Sequence, residues 1–209
     1  MNTVYSIPDP LPLSLPAGKP QARRQQVAGL QLEDAALMAF NGQLHAISAQ
    51  APAVDADQFA SLARWLQELP PGKAEATIAL RMARADSLAQ MLDDPDWQIP
   101  ERIAARGRQL VAALRGSENL VPDATPLFGH LDEALMVELC WAEFAGEVGD
   151  YLDFRRFRAE AGFRGNRDEL RTAWESACVA RASEMLHRHG VRARGYSRPG
   201  RLQQPFRVF

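Results

Sequence analysis

Residues 132–153 carry seven carboxylates and no lysine or arginine. Clustered carboxylates do two kinds of chemistry: they hold hard divalent cations through oxygen, or they act as an acid/base pair. Read as one continuous helix at about 100° per residue, Glu143, Glu147 and Asp150 fall within about 60° of one another. They are the metal-ligand candidates of the chain. Helical metal motifs with strong signals combine Glu with His at fixed spacing, and neither ExxH nor HExxH occurs in this segment. A solvated acidic face, or one paired with Arg155, Arg156 and Arg158, accounts for the same residues more simply. Glu138 stands apart. Ala134, Trp141 and Ala145 flank it on the helical wheel, so its carboxylate must find a cation or take up a proton. An Arg from another helix is the expected partner.

The opposite charge gathers at the C-terminal end. Residues 181–209 carry seven Arg and a single acid, Glu184. Arg188, Arg192, Arg194, Arg198 and Arg201 are the phosphate-binding candidates, with Tyr196, Phe206 and Phe209 available to stack on bases. The same charge would suit an anionic membrane surface, the acidic helix of this chain, or that of a second copy. No GxSxG, phosphate-binding glycine loop or dinucleotide fingerprint occurs. Cys140 and Cys178 form no CxxC or CxxH pattern, so two reduced thiols are expected, with no zinc and no cofactor.

The elements that must position these groups are mostly helices. Five prolines within residues 1–22 predict an extended or disordered arm that adds little stability. Residues 23–50 are ambiguous: a helix over 32–40 is favoured, and Asn41-Gly42 between apolar runs also fits a hairpin turn. From Asp55, a plausible N-cap, Phe59, Leu62, Trp65, Leu66 and Leu69 repeat at helical spacing. A second helix over 73–92 places Ile78, Met82, Ala85, Leu88, Ala89 and Leu92 on one stripe. A third begins near Pro100, carries Ile103, Gly107 and Leu110, and stops at Gly116. An apolar helix over 133–148 follows, then 151–161 as continuation or separate helix, then a last helix over 168–189. The class is all-α: an irregular helical bundle of about six helices over residues 23–190, with a Pro-rich arm before it and an Arg-rich tail over 191–209.

One loop is specific. Leu120, Pro122-Asp123, Pro126, Gly129 and Asp132-Glu133 fall in a register that resembles the core of the YkvA-like family of bacterial proteins, over about residues 100–150. Ala124 and Thr125 stand where that family commonly has bulkier apolar residues, and Glu133 replaces its usual second Asp. The resemblance implies a fold segment and no particular reaction. The residues have a structural reading of their own. Pro122 breaks the preceding element, Pro126 suits a first turn, and Gly129 supplies backbone freedom. Asp123 and Asp132 are candidate helix caps, and Glu133 suits a helix N-terminus.

The expected function is that of a bacterial, cytoplasmic helical interaction or regulatory protein, with another protein or a second copy as partner. The alternatives are nucleic-acid or anionic-surface binding through the Arg-rich segment, and a metal-dependent hydrolase using the acidic helix. No run of about 18 apolar residues marks a transmembrane helix.

Overall fold

The computed structural model describes residues 10–12, 26–27, 30–116, 120–122, 125–162 and 166–193. These residues form an all-α structure with seven helices, preceded by a minimal antiparallel pairing of Gln26–Val27 (β1) with Leu30–Gln31 (β2). The chain divides into two units, residues 1–152 and 153–209.

The first unit holds α1 (Asp34–Ile47), α2 (Ala56–Glu68), α3 (Lys73–Asp93), α4 (Glu101–Leu114), α5 (Leu131–Cys140) and the start of α6 (Ala145–Ala161). Helix α3 packs against both α4 and α5, and α1 packs against the same two. Leu44, Leu62, Leu88, Leu110, Leu135 and Phe144 are completely buried, each contributing roughly 1.5–3 kcal/mol of transfer free energy. Gly107 lets α4 approach α3 closely: a Cβ there would lie 3.3 Å from the Leu92 side chain.

Helix α1 runs straight through Asn41-Gly42, which excludes the hairpin and lengthens the expected helix at its C-terminal end. The reason is tertiary. Asn41 Nδ2 donates to the Val54 carbonyl and Asn41 Oδ1 accepts from the Val54 N–H, both at 2.8 Å. The amide that would favour a turn is thus spent on the chain leaving the helix. Asp55 caps α2 as expected. Its side chain accepts from the Gln58 N–H, and Gln58 reciprocates to the Asp55 N–H, a full capping box.

Two stripes differ from expectation. On α3 the buried positions are Ala74, Ile78, Arg81, Ala85, Leu88 and Met91, with Met82, Ala89 and Leu92 only half-buried. Arg81 belongs to the stripe because α5 offers it a carboxylate. The apolar helix of residues 133–148 is two helices, broken by a 3₁₀ turn at Trp141–Glu143. The tighter turn leaves Phe144 fully buried while Glu143 reaches Arg106 at 2.6 Å. Beyond the break, α6 runs on without interruption to Ala161, and the described residues hold seven helices.

The second unit contains the remainder of α6 and helix α7 (Arg167–Ala193). Asn166 and Glu169 form a reciprocal cap at the start of α7. Phe154 of α6 meets Trp174 of α7 edge-on, with centroids 5.9 Å apart, and Arg181 pairs with Asp153 at 3.2 Å. Of the N-terminal arm, residues 10–12 are described. Leu11 there is buried, so at this point the arm packs on the core and is not a bystander. The rest of residues 1–22 and residues 194–209 lie outside the described residues.

Candidate functional site

The motif loop joins α4 to α5, and its cap works differently from the sequence expectation. The N-cap of α5 is His130 and no side chain caps it. Asp132 is the second residue of the helix. It turns back to the loop, where its Oδ2 accepts the N–H groups of Leu120 at 2.6 Å and Val121 at 3.2 Å. A carboxylate that accepts two backbone donors in a buried setting clamps that loop to the helix. Leu120 and Val121 are themselves buried. Asp123 lies outside the described residues.

Pro122 and Pro126 bracket the turn, with Thr125 N–H donating to the Pro122 carbonyl at 2.8 Å. Among the described residues of the loop, the one with positive φ is Leu127, at 70°, and Gly129 is not. The backbone freedom expected of Gly129 is therefore demanded of a leucine two positions earlier. A non-glycine residue in this region costs roughly 1–2 kcal/mol. Gly129 is buried and its N–H donates to the Thr125 carbonyl at 2.9 Å.

Glu133 is the surprise of the motif. The helix N-terminus favours its ionised form, yet the side chain is buried, only 9% exposed, beside Asp132. Burial pushes its carboxyl up to about 7, and the neighbouring Asp132 carboxylate pushes the same way. His130, with Nδ1 3.5 Å from Glu133 Oε1, and the backbone oppose that shift. One oxygen of each acid, Asp132 Oδ1 and Glu133 Oε2, is buried without a hydrogen-bond partner.

Glu138 meets its expected partners. Arg81 Nε and Arg84 Nη1, both from α3, donate to Glu138 Oε2 at 3.1 and 3.0 Å. The Leu11 N–H reaches Oε1 at 3.4 Å. The Arg84 guanidinium also stacks 5.0 Å from the Trp141 ring. Arg81 and Arg84 were missed in the sequence. The signal was available: an Arg in register with Ile78 and Ala85, in a chain that also places a Glu within an apolar helix.

The metal-ligand candidates do not converge. Glu143 sits in the 3₁₀ turn and binds Arg106. Glu147 starts α6 and accepts from Trp97 Nε1 at 2.9 Å, and Asp150 is exposed. The helical spacing that grouped them presumed one unbroken helix. Among the described residues no three His, Cys, Asp or Glu side chains are placed to hold a metal. Of the phosphate-binding candidates, Arg188 is exposed and paired with Glu184. Arg192 has no described side chain, and Arg194, Arg198 and Arg201 lie outside the described residues. Cys140 and Cys178 are free thiols, and burial pushes Cys140 up to about 12, which makes it a poor nucleophile.

Two surface clefts flank α4. One is lined by Leu92, Asp93, Arg108 and Arg115, the other by Gln43, Ile47, Gln109 and Gly116. Neither is lined by a motif residue. Comparison of the chain with protein-family models, with curated proteins and with solved structures finds no match.

Proposed function

We propose that this chain is a helical interaction protein that binds another protein chain through an apolar stripe on the exposed C-terminal half of α7. The observation that supports it is the exposure of Val179 and Leu186, 68% and 74%. At about 100° per residue, Val179, Ala182 and Leu186 share a stripe about 60° wide. The buried Leu170 and Trp174 lie about 80° or more from that stripe round the same helix. Met185, also exposed, borders the stripe. Single exposed apolar residues such as Met38 and Leu80 need no explanation. A seam at i, i+3 and i+7 does, because that spacing is how one helix meets another. Cys178, Ser183 and Met185 beside it are uncharged and Glu175 ends it on the N-terminal side, which favours an amphipathic helix over a phosphate backbone as occupant.

Within this reading the loop and its carboxylates are a structural clamp of the YkvA-like kind, and the setting is the bacterial cytoplasm. No described helix is long and apolar enough to cross a membrane. A photo-crosslinking residue in place of Ala182, used in the native host, tests the proposal. The expected product joins α7 to an amphipathic helix of another chain, and the doubly charged variant V179E/L186E abolishes it without lowering the melting temperature. A cross-link between two α7 helices would name a second copy as the occupant. Absence of any α7 adduct, or an adduct that survives in V179E/L186E, would overturn the proposal.

A further inference from the structure

Asp132 and Glu133 are consecutive residues in the first turn of α5, and each is more than nine-tenths buried. Each has one oxygen with no hydrogen-bond partner. Two ionised carboxylates cannot share such a place without a counter-charge. Among the described residues the counter-charge is not an arginine. Helix α5 packs against α3, α1 and the 3₁₀ turn. The cations that α3 sends to α5, Arg81 and Arg84, are bound to Glu138. Glu143 of the turn is held by Arg106, and Asp34 and His45 of α1 are exposed. Among the described residues the charged groups that act on Glu133 are Asp132 and His130.

A divalent cation would need more oxygen ligands than two side chains supply. No third His, Cys, Asp or Glu joins them among the described residues, and neither cleft reaches them. A proton meets the requirement with the atoms present. We propose that Glu133 carries a proton that it donates to Asp132 Oδ1, and that this shared proton is a pH-operated latch on the motif loop. Asp132 keeps the Leu120 and Val121 N–H groups on Oδ2. When Glu133 gives its proton to solvent, two adjacent carboxylates repel. Relief comes by moving Asp132 away, which releases the loop, or by turning Glu133 outward toward the exposed His130. The elevated pKa of Glu133 puts this event near neutral pH.

The test follows the Glu133 carboxyl carbon by NMR from pH 4 to pH 9 in the full chain, together with hydrogen-exchange protection of the Leu120 and Val121 amides. The expected result is a Glu133 midpoint near neutrality. The two amides should lose protection by about tenfold or more as pH rises through it. In E133Q the protection should hardly vary with pH. E133Q is isosteric and keeps a donor toward Asp132, so it serves where D132N fails to fold. A Glu133 midpoint below about 5, or an unchanged loss of protection in E133Q, would overturn the latch. Stoichiometric binding of Mg²⁺, Mn²⁺ or Ca²⁺ by calorimetry, lost in E133Q, would overturn it in favour of a cation site.

Discussion

Arg81 and Glu138 meet inside the first unit, Nε to Oε2 at 3.1 Å, with only 2% and 14% of their side chains exposed. Arg84 completes the group at 3.0 Å. Two long cationic side chains from α3 thus converge on one carboxylate of α5, and they tie together the helices at the centre of the unit. Removing one member of such a group strands the charge of the others. Glu138→Ala is expected to cost about 3–5 kcal/mol. Glu138→Gln, which keeps an acceptor oxygen, is expected to cost less. Urea denaturation of the two variants checks the order, and equal losses would mean that charge is not what holds α3 to α5.

Stability should depend on pH through Glu133. Its folded pKa is raised from the ordinary 4.5 to about 7, so between these values the folded state binds more protons than the unfolded one. The stability this contributes is complete below pH 4.5 and is lost as pH rises through 7. A rise of this size corresponds to about 3 kcal/mol. Glu133→Gln should flatten that limb of the profile and leave the variant more stable than wild type above pH 8. Denaturation midpoints at several pH values between 5 and 9 decide it.

Asp132→Ala takes away the acceptor of two buried backbone N–H groups. The expected cost is about 3 kcal/mol. A second consequence separates it from an ordinary packing loss. With the neighbouring charge and hydrogen-bond acceptor gone, the pKa of Glu133 should fall. A Glu133 titration unchanged in this variant would show that the two acids do not communicate.

Adjacent residues in α1 should respond with opposite signs. Asn41→Ala leaves the Val54 N–H and carbonyl without their 2.8 Å partners and should cost about 2 kcal/mol. Gly42 has helical backbone and open space where a Cβ would stand. Gly42→Ala should therefore stabilise by about 0.5–1 kcal/mol. Thermal melts of the pair, measured side by side, test both.

Leu11 is 6% exposed, and its N–H reaches Glu138. Leu11→Ala is expected to cost about 2 kcal/mol, a value that an arm without packing contacts could not produce. A variant as stable as wild type would detach the arm from the core.

The sequence alone determined the class and the local geometry. Helical period, the Asp55 cap and the prolines set α2, α3 and α4 to within a residue or two, because these signals act within one turn of chain. It also marked Glu138 as a carboxylate that must be neutralised, since an apolar helix leaves no alternative. It could not say which cation would come, because Arg81 lies 57 positions away and contact across that distance is set by how α3 and α5 pack. The same limit explains the other departures. Asn41-Gly42 reads as a turn until Val54 takes up the Asn41 amide. Glu143 and Glu147 read as one acidic face until the 3₁₀ turn separates them. Asp132 reads as a helix cap until the loop at Leu120 and Val121 folds back upon it. In each case a polar side chain had two outlets of similar local energy, and a partner distant in sequence chose between them. The proton proposed for Asp132 and Glu133 is of the same kind: two adjacent acids in a sequence titrate as ordinary acids, and only burial brings them into competition for one proton.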